Sequence, residues 1–143
     1  MNKIESLFSG ARASSTGLAA ERVRMDVISE NIANAHTTRT ADGGPYRRKV
    51  VRFEPLMRKA AGQEAETVGV RPASIEGDYF TPFGVVHEPG NPDSDARGFV
   101  LYPNVNTVME MTDLITAMRS YEANLAVQQN FFQMAERALQ IAR

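Results

Sequence analysis

All seven prolines of this 143-residue chain, Pro45, Pro55, Pro72, Pro82, Pro89, Pro92 and Pro103, fall in one central stretch, together with eight of the ten glycines. Proline lacks a backbone donor and its ring clashes with the preceding helical turn, so no long helix crosses that stretch. The proline-free ends are under no such restriction. The chain therefore divides into a helical segment 1–36, a β-rich middle 37–103 and a second helical segment 104–143, within the size of one domain. The expected class is mainly α with a small β-rich middle. Two long terminal helices pair as a coiled coil, with a short irregular sheet or hairpins between them.

The helical ends carry apolar residues at a strict seven-residue step. The first has Ile4, Ala11, Leu18, Met25 and Ile32, and the second has Met111, Met118, Leu125, Phe132 and Leu139. Such a period holds an apolar stripe on one side of a supercoiled helix, which marks these residues as a coiled-coil or assembly seam. Ser14, Ser15, Thr16 and Gly17 form a weak stretch where the first helix is expected to bend or break. The last helix has a second stripe, Val127, Phe131, Met134, Ala138 and Ile141. At about 100° per residue it lies roughly opposite Leu125, Phe132 and Leu139. One partner helix cannot cover two opposed apolar sides, and the chain offers no third long helix. The second stripe is thus expected to face other subunits.

Strand signals lie in the middle. Tyr46–Phe53 is rich in β-branched and aromatic residues and follows the turn Asp42-Gly43-Gly44-Pro45. Thr67–Arg71, ended by Pro72, Tyr79-Phe80, Phe83–His87 and Gly98–Tyr102 are further candidates. Charge segregates along this region. Residues 41–59 hold six basic and two acidic side chains, and residues 60–99 hold two basic and seven acidic ones. Pairing within one hairpin and head-to-tail contact between copies explain this equally well.

Catalytic, cofactor and metal sites are not expected. Without Cys, thiol nucleophiles, disulfides and Cys-based zinc sites are excluded. The two histidines, His36 and His87, lack partners at ligand spacing, and no phosphate-cradling loop or nucleophile elbow occurs. A hydrolytic centre would have to be assembled from His87 with Asp93 or Asp95. Asn91–Asp95 imitates a calcium loop but has Ala96 where Gly is needed and Tyr102 where a bidentate Glu is needed. Arg47, Arg48 and Lys49 alternate faces along a strand and form no basic groove. With 16 basic and 17 acidic residues, nothing draws the chain to nucleic acid. No apolar run is long enough to cross a membrane or to act as a cleaved signal, so direct membrane insertion is not expected.

The stretches TGLAAERVRMDVISENIANAHTT at 16–38 and SYEANLAVQQNFFQMAERALQIAR at 120–143 resemble the terminal signatures of bacterial flagellar rod and hook proteins. GGPYRRKVV at 43–51 and EPGNPDSDARGFVLYPNVNTVMEM at 88–111 resemble the proximal-rod members of that axial family. The likeness covers nearly the whole chain and is loosest over 60–87. Thr16, His36, Asn91 and Ser94 stand where the family has Ser, Asn, His and Ala.

The resemblance implies a non-enzymatic building block of the hollow drive shaft of the flagellar basal body, transmitting torque to hook and filament. It implies export without cleavage by the flagellar type III apparatus and polymerisation in the periplasm. The implied partners are other copies, other rod proteins and the adaptor joining the rod to the membrane ring. Asn31, Asn34, Asn104 and Asn106 would then sit at turns where helices meet the outer part, a role that ordinary helix caps explain equally well. Asn124, inside the last helix, is expected to hydrogen-bond across the bundle and set its register. The competing reading is a soluble coiled-coil adaptor or secretion chaperone.

Overall fold

The computed structural model describes residues 3–58 and 66–141, with side chains over 10–58 and 67–140. The elements are α1 (Lys3–Ala33), β1 (Lys49–Arg58), β2 (Glu66–Gly77), β3 (Gly84–His87), β4 (Phe99–Tyr102) and α2 (Thr107–Ile141). β1 pairs antiparallel with β2, and β3 with β4, as two separate two-stranded sheets. The order helix, β-rich middle, helix is the one that the proline distribution predicts.

α1 runs unbroken through Ser14–Gly17, against expectation, with Thr16 and Gly17 held in tertiary contacts. Thr16 Oγ1 donates to Ala13 O at 2.8 Å and accepts from Val70 N at 3.1 Å, tying α1 to β2. Gly17 lets α2 come close: a Cβ there would sit 2.9 Å from Asn124 Nδ2. Asn124 thus packs on Gly17, and among the described residues it makes no hydrogen bond across the pair.

The two helices pack antiparallel. A Cβ at Gly10 would meet the Phe131 ring at 2.8 Å, Asn124 lies on Gly17, and Asn31 bonds Glu110. These pairs advance in whole multiples of seven residues. Burial follows the same register: Gly10, Ser14, Gly17, Glu21, Arg24, Ile28 and Asn31 turn from solvent on α1. Glu110, Leu114, Ala117, Tyr121, Asn124, Gln128 and Phe131 do so on α2. The facing positions on α2 lie one residue before the expected seam, which is about 100° of rotation. Met111, Met118, Leu125, Phe132 and Leu139 are correspondingly exposed. Small and polar side chains such as Gly10, Ser14, Gly17 and Asn124 interrupt the apolar residues of the contact and allow close approach, so the stronger apolar periodicity marks the outward face. On α1, Ala11, Leu18, Met25 and Ile32 are half-buried beside the contact. The side chains of Ile4 and Ile141 lie outside the described residues.

The strands also depart from the local signals. β1 begins at Lys49, not Tyr46, and runs through Pro55, while β2 continues past Pro72 to Gly77. Neither proline interrupts the ladder, because of its phase. Val70 directs its N–H away from β1 to Thr16, so its partner Pro55 is also at a position whose nitrogen faces outward. Two residues along, Pro72 opposite Phe53 has the same phase. Register shifts between Arg52 and Phe53 and between Leu56 and Met57 twist the ribbon. Arg52 pairs with Glu76 at 3.1 Å, and Arg71 pairs with Glu54, across this hairpin. Tyr79-Phe80 forms a bend, not a strand.

Candidate assembly interface

A buried polar joint fixes the sheets to the helix pair. Asn31 on α1 and Glu110 on α2 are each only 1% exposed. Asn31 Nδ2 donates to Glu110 Oε2 at 3.0 Å and to Lys49 O at 2.9 Å. Asn31 Oδ1 accepts from Lys49 N and from Tyr46 Oη, both at 2.9 Å. Arg48 Nε donates to Glu110 Oε1 at 2.7 Å, with Asp78 at 3.8 Å and Asp113 at 3.9 Å from other nitrogens of the same guanidinium. A buried carboxylate costs much desolvation unless paired and hydrogen-bonded, and Glu110 has both kinds of partner. Burial, then the Glu30 and Glu110 carboxylates, push the Tyr46 phenol up to about 12.

Asparagines build the turns. Asn106 Oδ1 accepts from Val108 N at 3.1 Å and Met109 N at 3.2 Å, capping α2. Asn34 Nδ2 donates to Glu30 O at 3.0 Å where α1 ends. Asn104 Oδ1 accepts from Arg48 N at 2.8 Å, while its Nδ2 donates to Asp78 O and Thr81 O at 3.0 Å. The Asp78 carboxylate in turn accepts from Phe80 N, Thr81 N and Thr81 Oγ1. The Thr81 hydroxyl, followed by the backbone N–H groups, holds its pKa below the usual carboxylate value. This doubly braced turn presents Phe80, 95% exposed. The Arg47 guanidinium lies over the rings of Tyr79 at 4.6 Å and Phe83 at 4.2 Å beside it.

The loop between β3 and β4 is equally ordered, and its acids are structural. Asp95 Oδ1 accepts from Arg97 N and Phe99 N at 2.8 Å. Asp93 accepts from Thr38 Oγ1 at 2.7 Å and pairs with Arg39 at 3.4 Å. Gly98, at φ +80°, lies where a Cβ would stand 3.1 Å from His87 Nε2. The His87 ring packs on Phe99, 5.0 Å between centroids. Asp93 and Asp95 thus face their own loop and α1's trailing segment, and among the described residues neither is hydrogen-bonded to His87. Among the described residues, no cluster of three potential metal ligands occurs.

The largest unpaired feature is apolar. Val108, Met109, Met111, Ile115, Met118, Leu125, Val127, Phe132, Met134 and Leu139 are all exposed on α2. Of the second expected stripe, Val127, Met134 and Ala138 are exposed, whereas Phe131 turns toward Gly10. The accessible surface of the chain is 10425 Å², where a compact monomer of 15.8 kDa has about 7300 Å².

Sequence comparison gives this surface a context. The Flagella basal body rod protein family matches residues 12–39, and the flagellar basal body rod FlgEFG protein C-terminal family matches residues 96–141. The flagellar basal-body rod protein FlgC of Borreliella burgdorferi is 44% identical, over 94% of this chain and 97% of its own. FlgC of Bacillus subtilis is 36% identical over 95% and 98%. The chain belongs to the FlgC family of flagellar basal-body rod proteins. FlgC of Salmonella typhimurium is also similar, at 44% identity over 78% of this chain and 80% of its own. The two matched families cover α1 from residue 12 with the turn after it, and β4 with α2. These are the segments that make the helix pair and place Asn31, Asn104 and Glu110 in the joint.

Sequence reasoning singled out Asn31 and Asn104 but missed Tyr46, Arg48 and Glu110 as their partners. Arg48 was read only as part of a basic cluster. The available signal was Glu110 at an inward position of a helix whose neighbouring positions are apolar.

Proposed function

We propose that this chain is a structural subunit of the flagellar basal-body rod and that assembly buries its outward apolar face. The observation that carries this reading is the outward apolar stripe of α2, some thirty residues long, on a chain with about 3000 Å² more surface than a compact monomer. That excess exceeds the total area buried in a standard protein–protein interface, about 1600 Å².

In this reading α1 and α2 form an antiparallel coiled-coil unit near the axis of a proximal rod. The stripe Met111, Met118, Leu125, Phe132 and Leu139, with Val127, Met134 and Ala138, packs on neighbouring subunits. Many such contacts summed along a tube give it torsional stiffness. The joint through Asn31, Arg48 and Glu110 passes load between helices and sheets. Export by the flagellar type III apparatus, contact with other rod proteins and contact with the membrane-ring adaptor belong to the same proposal.

Basal bodies isolated from a strain lacking the chain, complemented with wild type or with Leu125→Glu, test it. Wild type restores rods and swimming and is recovered in the basal body, whereas Leu125→Glu is made, folds and is absent from it. Full motility without the chain overturns the proposal.

A further inference from the structure

The chain has no cysteine and no tryptophan, so its thioethers are the side chains most open to oxidation. Six of its seven methionines lie among the described residues, and their placement is uneven. Met109, Met111, Met118 and Met134 are all exposed on α2, and Met57 is exposed on β1. Met25, beside the helix contact, is half-buried. At about 100° per residue, Met111 and Met118 lie on one flank of α2 and Met109 and Met134 on the other. The positions that face α1 run between these flanks.

The sulfurs also differ in what they touch. Met57 Sδ accepts a hydrogen bond from Thr67 Oγ1 at 3.3 Å, which engages one of its lone pairs. Among the described residues, the four exposed α2 sulfurs accept none. We propose that Met109, Met111, Met118 and Met134 form an oxidation site for small peroxides, and that the sulfoxide form of the chain is kept out of the rod. A sulfur lone pair attacks one oxygen of hydrogen peroxide. The S–O bond forms as the O–O bond breaks, and the other oxygen leaves as water. The sulfur is oxidised, and the peroxide is reduced by the electron pair it receives.

The product changes the face without changing the fold. A thioether is apolar and adaptable, whereas a sulfoxide oxygen is a polar acceptor that needs a donor when buried. Val108, Ile115, Leu125, Val127 and Phe132, exposed on the same helix, have no side-chain donor to offer it. All four methionines point away from the helix contact, so the loss falls on assembly. Burial in an assembly also shields the sulfurs, which confines oxidation to the subunit before its incorporation. Enzymatic reduction of the sulfoxide restores the apolar face. The inference rests on the rod-subunit reading for what buries that face.

The test has two arms. The purified full chain is treated with hydrogen peroxide and its peptides are followed by mass spectrometry. The four α2 methionines should gain oxygen ahead of Met25, which is half-buried, and ahead of Met57, which is as exposed as Met111 but has a bonded sulfur. Circular dichroism should stay unchanged. Equal rates at Met25 or Met57, or loss of helix on oxidation, overturn the inference.

In the complemented strain, Met111→Gln with Met118→Gln imitates the polar sulfoxide, and Met111→Leu with Met118→Leu keeps the face apolar. The Gln pair should fold yet reach isolated basal bodies at about a tenth of the wild-type level or less, and the Leu pair near that level. Normal incorporation of the Gln pair overturns the inference and leaves the rod reading standing. Loss of the Leu pair as well assigns the effect to side-chain shape and also overturns it. Absence of the wild-type chain from basal bodies overturns the rod reading, and the oxidation block falls with it.

Discussion

Asn31 Nδ2 and Glu110 Oε2 lie 3.0 Å apart, joining the two terminal helices across 79 positions of sequence at a point with almost no solvent. The same asparagine holds both backbone polar groups of Lys49 and the Tyr46 hydroxyl, so one side chain fixes three elements.

Asn31→Ala is therefore expected to cost about 3 kcal/mol or more, because it strands several buried groups at once. Glu110→Gln should cost less, since an amide oxygen can still accept from Arg48. A double-mutant cycle by urea denaturation should return a coupling of about 1 kcal/mol or more. Additive behaviour would show that the joint does not act as a unit.

Tyr46 sets an alkaline limit. Its phenol is raised from 10.0 to about 12 in the folded chain, so the folded state holds the proton more tightly. The stability it contributes is complete below pH 10 and is lost as pH rises toward about 12. Tyr46→Phe should flatten that decline in denaturation midpoints measured across pH 9 to 12. The Tyr102 phenol, raised chiefly by its hydrogen bond to Glu88, should leave a smaller residual slope.

Gly69 lies against the Thr16 side chain, which is fixed by its own bonds to Ala13 and Val70. A methyl at Gly69 collides with a hydroxyl that has nowhere to turn. Gly69→Ala should lower stability by about 1 to 3 kcal/mol, whereas Gly90→Ala, open within 4 Å, should be nearly neutral. Thermal melts of the two variants compare them directly.

Leu125→Glu and Phe132→Glu separate folding from assembly. Both positions are exposed, Phe132 at 68%, so a charge there leaves the isolated chain folded. Circular dichroism should match wild type, while incorporation into rods and swimming are lost. Loss of helix content in either variant would place these residues inside the fold instead.

The order helix, sheet, helix was legible because a stretch holding all seven prolines carries no long helix whatever packs against it. The helix pairing has the seven-residue step, but its phase was misread. An inward face that mixes Gly10, Ser14, Gly17, Asn124 and Gln128 with Ile28, Leu114 and Phe131 gives a diluted hydrophobic signal, while the outward face gives a strong one. Pro72 misled for a related reason. Whether it ends a strand depends on which way its nitrogen points, and that is set by pairing with Phe53 and by Thr16 far upstream. Of the segregated charges of the middle, Arg52 pairs with Glu76 and Arg48 lies 3.8 Å from Asp78 within the chain. The polar joint was half visible: its asparagines stand out in sequence, but nothing local shows that residues 46, 48 and 110 converge on them.

The outward nitrogens of Pro55 and Pro72 have a last consequence. On one flank of the ribbon α1 occupies the position where another strand could add, and on the other flank a proline stands where a donor would invite one. The β1–β2 ribbon is thus hindered from adding strands edge to edge between crowded copies, a hazard for any small protein with strands open on both sides. On the flank that α1 leaves open, the safeguard is the Pro55 ring nitrogen, which does not depend on pH or salt.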